Sequence, residues 1–398
     1  MKKVLILDTG KEWGGGTNSL IELLKRIDKK RYGFSALFYS NYRMGSGPDV
    51  KSELEKLGAG FSVLERGENP AWLKPLKEAG RALLFPSAAL KKRYVFRLDY
   101  IGRIVPDSKR IESFLREGGF DLLYMNNQPS SNLEGILAAK AAKVPAVQHS
   151  RIEVRLNKVE AEAVNSNAAR VICVSRGVMD GLVESGVRAD KCVVVYNGID
   201  GTVKPKRSPE EVRRDLGIKE GTTVIGTVGS LIKRKRVDLL LRAFPAVKGI
   251  EGTVCLVVGD GAEMDSLKKT TRDLGLADRV IFTGFSADAL SFINAMDLFV
   301  SASEKEGLPR VVLEAMLMGK SVVAFDIIGT REIVVNEKTG LLVREECAQA
   351  LGAAIDGLLG KRKALEAFGK EGRKRVLEEF GIDRYVSGVE RVFKEVLG

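Results

Sequence analysis

Short apolar runs recur along almost the whole chain, and each ends in glycine or a polar residue before a stretch of helical spacing begins; nothing else constrains the fold as strongly. The runs stand at residues 4–7, 34–38, 61–64, 122–125, 144–148, 171–174 and 193–196, and again at 224–228, 254–258, 280–282, 298–300, 321–325 and 340–343. Helical patterns separate them, for example at 133–142, 178–184 and 237–247. Strands apolar on both faces need cover on both faces, so strands alternating with helices predict an α/β chain built on parallel sheets. With 398 residues the chain is too long for one ordinary core, and two domains of roughly 180–200 residues follow. A charged, turn-rich stretch with Pro205, Ser208 and Pro209 separates the two series of strands. The expected division is a domain over 1–200 and a second over 201–380.

Composition removes several classes of function. Apolar residues make up 44% and charged residues 29%, the profile of a globular protein and not of a disordered one. The opening M-K-K-V-L-I-L-D-T-G has too few apolar positions for a signal-peptide core or a membrane span, so a cytoplasmic location is expected. Cys173, Cys192, Cys255 and Cys347 are scattered without a C-x-x-C pair, and His149 is the sole histidine. Neither a cysteine zinc site nor a multi-histidine metal centre is therefore expected. A net charge of +12 draws the chain to anionic surfaces, but no nucleic-acid recognition motif accompanies it.

The stretch 303–319, S-E-K-E-G-L-P-R-V-V-L-E-A-M-L-M-G, holds the densest chemistry. Glu306 sits in a polar loop, Gly307-Leu308-Pro309 follows, and an apolar helix then carries Glu314. Pro309 suits a first helical position, and the helix start offers unpaired amides and a positive dipole end to an anion, while the carboxylates can accept from sugar hydroxyls. A nucleotide-sugar diphosphate fits that combination; a capped helix with two solvated acids also accounts for it. Residues 233–236, K-R-K-R, follow a strand where open sheets present ligand loops, although on spacing alone a solvated loop is favoured. Gly14-Gly15-Gly16 lets backbone approach a ligand after the first strand, and Ser19 with Glu22 has capping-box spacing. A dinucleotide fingerprint is missing: no G-x-G-x-x-G follows the first strand, and no acid closes the second. Residues 65–116 read as a helical insertion, within which 91–110 carries seven basic and two acidic residues among Tyr94, Val95, Phe96, Leu98, Tyr100 and Ile101. That mixture suits an anionic membrane surface, or a helix with one solvated basic face.

Gly14 to Gly16, His149, Ser175, Asn197-Gly198-Ile199-Asp200, Gly229 with Lys235, Gly259-Asp260-Gly261, Phe282-Thr283-Gly284, Glu306 to Glu314 and Gly340-Leu341-Leu342-Val343 together resemble, in order and spacing, the family 4 retaining glycosyltransferases. The resemblance implies the GT-B fold, two facing Rossmann-like domains with a cleft between them, and a last helix, 381–398, that packs back on the first domain. It implies that Glu306 binds donor-sugar hydroxyls, Glu314 the nucleotide ribose and Lys235 the diphosphate, with Glu306, His149 and Lys235 closest to the chemistry. Gly15, Gly16, Gly229, Ser230, Arg234, Gly307, Leu308, Pro309 and Phe282 complete the implied donor site. The family usually has an arginine five residues before the lysine; Ser230 stands there, which leaves Arg234 or Arg236 to compensate. The implied activity is metal-independent, cofactor-free transfer of a hexose from a nucleotide sugar, UDP-linked before GDP-linked, to a saccharide or lipid-linked acceptor in cell-surface polysaccharide or lipopolysaccharide synthesis. Peripheral docking on the inner face of the cytoplasmic membrane goes with it. A sugar-nucleotide epimerase and an inactive nucleotide-sugar binder share the architecture.

Overall fold

The computed structural model describes residues 1–11, 13–43, 47–65, 70–83 and 87–398. Among these the chain forms two parallel sheets in two compact units. The first unit holds β1 (Lys2–Asp8), β2 (Tyr32–Phe38), β3 (Gly60–Val63), β4 (Leu122–Met125), β5 (Ala146–Ser150), β6 (Arg170–Cys173) and β7 (Cys192–Val194) in the order β3-β2-β1-β4-β5-β6-β7. The second holds β8 (Thr223–Val228), β9 (Thr253–Val258), β10 (Val280–Gly284), β11 (Leu298–Ser301), β12 (Ser321–Phe325) and β13 (Gly340–Val343) in the order β10-β9-β8-β11-β12-β13. Each sheet reverses its direction of growth beside its first strand, the doubly wound pattern whose loops meet a ligand at the carboxyl ends of the strands. Val4 to Leu7, all of β4 and all of β12 are buried, which accounts for their unbroken apolar runs.

Four local expectations are corrected. The strand expected at 144–148 starts at Ala146, because Pro145 has no N–H for the ladder and only accepts, from Leu123 N at 2.9 Å. Helix Gly15–Arg26 has no side-chain cap; Glu22 pairs with Lys25 at 2.8 Å and with Arg26, so the Ser19–Glu22 capping box does not form. Pro309 is the N-cap of helix Arg310–Leu317, one residue before its first turn. The division between units falls at Val193/Val194 and not at 200/201, and 174–178 also belongs to the second unit. The cause is hydrogen bonding: Glu332 accepts from Arg176 N at 2.8 Å and Gly177 N at 2.9 Å, and Ile199 pairs with Gly381 in an isolated bridge. Helix Ile382–Leu397 begins in the second unit, and its residues from Val389 onward belong to the first. There Phe393 is buried against Tyr124 and Tyr32, with ring centroids 5.2 and 5.6 Å away.

Of the expected helical insertion, 66–69 and 84–86 lie outside the described residues. The rest is helix Leu73–Leu83, helix Ala88–Asp99, a π-turn at Tyr100–Ile104 and helix Val105–Gly118. The first two helices pack together through Tyr94, whose ring occupies the space a Cβ on Gly80 would fill, and through Lys77–Asp99 at 2.6 Å.

Candidate active site

In the second unit, β8 and β11 are neighbours at the point where the sheet reverses, and their carboxyl ends lead into the two loops richest in expected site residues. Gly229-Ser230 leaves β8, and a 3₁₀ turn, Lys233–Lys235, follows. The β11 loop runs from Ala302 to the helix start at Arg310. A cavity is lined by both, with Gly229, Ser230 and Lys235 from one side and Ser301, Ser303 and Val311 from the other. Backbone packing tightens this end of the sheet. A Cβ on Gly259 would lie 1.9 Å from Gly229 O, and one on Gly329 2.2 Å from Gly307 O. Both glycines also have positive φ, 141° and 81°, so larger side chains are excluded twice over.

Glu306 is buried at the centre of the β11 loop. Lys235 Nζ donates to its Oε1 at 2.5 Å, and Arg234 Nη1 lies 3.4 Å from its Oε2 while donating to Lys305 O at 2.8 Å. Burial pushes the Glu306 carboxyl up, but the charges of Lys235 and Arg234, with hydrogen bonds from Lys235 and Ser303, outweigh it and hold the group below its ordinary value. The loop is fastened from behind by Asn197 Nδ2, which donates to Leu308 O at 3.1 Å, and by Arg310 Nη1, which donates to Gly198 O at 3.0 Å. Half-buried Glu314 stands one turn beyond Arg310, with Oε1 3.8 Å from its Nη2.

The structure therefore brings together Gly229, Ser230, Arg234, Lys235, Glu306, Gly307, Leu308, Pro309 and the start of the helix that carries Glu314. It also separates the two candidates to compensate for Ser230: Arg234 shares Glu306 with Lys235, whereas Arg236 turns to Glu304 at 3.7 Å and Asp238 at 3.8 Å. Lys233 is exposed. Phe282 lies on edge strand β10, its side chain packed against the core, and is not among the residues lining the cavity. Burial and ion pairing make Glu306 part of the fold as well as of the implied donor site.

In the first unit the carboxyl ends of β1, β4 and β5 carry a polar network. Asn126 Nδ2 donates to Asp8 Oδ2 at 2.7 Å, and Arg151 Nη2 donates to Asn126 Oδ1 at 2.6 Å and to the Tyr124 hydroxyl at 3.3 Å. The Tyr124 hydroxyl is 2.6 Å from His149 Nδ1. Burial raises the Asp8 carboxyl despite hydrogen bonds from Asn126, Thr9, Asn127 and Gly10. The aliphatic part of Arg151 packs over Gly16, 3.6 Å from where its Cβ would be. His149, which the resemblance puts among the residues closest to the chemistry, lies inside β5 and is wholly buried. Burial, and then the Arg151 charge, push its pKa well down, so the ring is neutral. Asp8, Asn126 and Arg151 escaped the sequence reading. The available signal was a polar residue directly after the apolar runs 4–7 and 122–125, and an arginine three residues past the run 144–148, all at strand ends where doubly wound sheets bind ligands.

Residues 208–375 match the family described as glycosyl transferases group 1, and residues 52–202 match glycosyltransferase family 4. The chain is 30% identical over 205 residues to N-acetyl-alpha-D-glucosaminyl L-malate synthase of Bacillus anthracis, a match covering 51% of this chain and 53% of that protein. It is 32% identical over 232 residues to the lipopolysaccharide core biosynthesis glycosyltransferase LpsD of Rhizobium meliloti, covering 57% and 65%. These matches span about half to two thirds of the length of those relatives. Among solved structures, Anabaena HepE in complex with UDP and glucose superposes with a TM-score of 0.79 at 23% identity, over 99% of this chain and 100% of that one. The two doubly wound parallel sheets are those of the GT-B fold, and the chain belongs to the group 1, family 4 glycosyltransferases.

Proposed function

We propose that the protein is a retaining glycosyltransferase that moves a hexose from a nucleoside diphosphate sugar, UDP-linked in the first instance and GDP-linked in the second, to a saccharide or lipid-linked acceptor of cell-surface polysaccharide or lipopolysaccharide. The observation that carries this reading is the ion-paired cluster of Lys235, Arg234 and Glu306 where the β8 and β11 loops meet at the switch point of the second sheet, with Lys235 also lining the small cavity beside Gly229 and Ser230. A diphosphate entering beside Gly229 and Ser230 replaces the Glu306 carboxylate as the partner of Lys235. Lys235, Arg234 and the first amides of helix Arg310–Leu317 then stabilise the charge that grows on the leaving diphosphate, work that a metal ion does in other sites. Glu306, held ionised, is released to accept from sugar hydroxyls, and Glu314 takes the ribose. The bond from the anomeric carbon to the phosphate oxygen breaks, the bond from the acceptor oxygen forms on the same face, and the acceptor proton passes to the departing phosphate. No protein base is required. His149 acts as a positioning residue through Tyr124 and Arg151, and Gly15 and Gly16 keep a ligand-facing role.

The relatives' names support glycosyl transfer and a lipopolysaccharide setting, and the UDP and glucose bound to HepE support a UDP-linked donor. No described helix is long and apolar enough to cross a membrane. The hairpin of helices Leu73–Leu83 and Ala88–Asp99 supports reversible docking instead. It exposes Leu76, Leu83 and Leu90, with Trp72 and Ile101 at its flanks, beside Lys92, Arg93 and Arg97.

Calorimetric titration with UDP and GDP, followed by magnetic resonance of the product formed from each sugar donor, tests the reading. Lys235→Ala is expected to weaken diphosphate binding at least about tenfold, or ~1.4 kcal/mol, and Lys233→Ala to leave it nearly unchanged. The transferred sugar should keep its anomeric configuration. Equal losses in both variants would reduce the cluster to general electrostatics, and an epimerised donor without acceptor would replace transferase by epimerase.

A further inference from the structure

The second sheet has a second cavity, at the opposite, amino-terminal ends of β8, β11 and β12, which the proposed donor chemistry does not use. It has a volume of about 400 Å³, and Arg213, Thr222, Asp297, Lys320, Arg362 and Glu366 are among the residues lining it. That is within the range of pockets that hold small ligands, roughly 300–1,000 Å³. Its charges are unevenly matched. Asp297 is already held, by Arg213 Nη2 at 2.9 Å and by Val224 N at 2.7 Å. Arg213 is in turn anchored to Ala295 O at 3.0 Å and Thr222 O at 3.2 Å. Lys320 is half-buried between helix Arg310–Leu317 and β12, and among the described residues no ion pair or hydrogen bond engages its ammonium. Burial lowers its pKa; Asp297 opposes that and Arg213 adds to it. An ammonium in this position gains whenever an anion enters beside it.

We propose that this cavity is a binding site for a small phosphomonoester dianion, with Lys320 as the fixed cation and Arg362 as the one that closes on it. Arg362 is suited to that part because its ion pair with Glu366, 3.1 Å long, joins two side chains that are 88% and 67% exposed. An exposed i,i+4 pair of this kind contributes only a few tenths of a kcal/mol, so the guanidinium can exchange its carboxylate for a phosphate it can bind through two N–H groups. The two cations match the two charges of a phosphomonoester, and the volume leaves room for a sugar-sized substituent beside Thr222. The inference is independent of the transferase reading, because the residues belong to the other end of the sheet.

The test is titration calorimetry on the full chain with inorganic phosphate, glucose 6-phosphate and glucose. Saturable binding of the two phosphates and none of glucose is expected; tighter binding of glucose 6-phosphate would identify a sugar phosphate as the occupant, and equal binding the phosphate group alone. Lys320→Gln should weaken it at least about tenfold, ~1.4 kcal/mol, and Arg362→Gln about threefold, ~0.7 kcal/mol. Lys320→Arg should restore part of the binding, and thermal melts of each variant check that the fold is intact. Lys235→Ala, at the donor site, should change nothing. Binding lost in Lys235→Ala but kept in Lys320→Gln would overturn the proposal, as would the lack of saturable binding at millimolar ligand. Should Lys320→Gln not fold, unchanged binding in the exposed Arg362→Gln variant would overturn it as well.

Discussion

Glu306 is both a structural and a chemical residue, and its two roles separate with pH. Its folded-state pKa lies below the ordinary 4.5, so the stability it contributes is present above that value and is lost as pH falls through the depressed one. Glu306→Gln removes the charge and leaves Lys235 and Arg234 without their anion. The variant is expected to melt lower than wild type at neutral pH by about 1–3 kcal/mol of stability and to lose less on acidification. Thermal melts from about pH 6 to about pH 3 check this: parallel acid limbs would show that the ion pair carries no net stability. Sugar transfer should fall ~100-fold or more, the scale on which removal of a group that binds the transition state acts. Glu314 is half-buried, with its carboxylate 3.8 Å from Arg310. The acids were legible as a pair in the sequence. That one of them is neutralised by Lys235 and Arg234 was not, because those residues lie about seventy positions away and meet it only where β8 and β11 run side by side.

At the scale of elements, the hairpin of helices Leu73–Leu83 and Ala88–Asp99 is little buried: the second helix has no buried residue, and the first has only Leu73 and Gly80. Ordinary surface helices bury an apolar stripe, and here the apolar residues are shared between the helix contact and solvent. Leu83 and Ile101 are 81% and 62% exposed. Sedimentation with anionic vesicles should bring the protein down, neutral vesicles should not, and salt should release it, since each basic side chain near such a surface contributes about 1 kcal/mol. Changing Lys91, Lys92, Arg93 and Arg97 to Gln should abolish the effect. Binding indifferent to lipid charge and to these substitutions would leave the hairpin as a solvated face. The basic, aromatic character of 91–110 was visible in the sequence; its pairing with a second helix through Gly80 and Tyr94 was not.

Across the whole molecule, the chain's last residues complete the core of its first unit. Phe393 packs against Tyr32 and Tyr124, and Val389 and Val392 are buried with it. Phe393→Ala is therefore expected to cost about 3–5 kcal/mol in the first unit and to leave the second nearly unchanged. Hydrogen exchange resolves the two: faster exchange in β1 and β4 with β11 and β12 unaffected is the expected outcome, and uniform loss across both sheets would contradict it. The sequence by itself determined the strands, their alternation with helices, the parallel sheets and the loops that hold Lys235 and Glu306, because apolar period, glycine and proline act over a few residues. Tertiary structure alone decided which loops meet, where 174–178 belongs, that the last helix changes unit at Val389, and that His149 is sealed within β5. Those outcomes depend on partners such as Glu332 and Arg176, or Phe393 and Tyr124, that are far apart along the chain and are brought together only by the order of strands in each sheet.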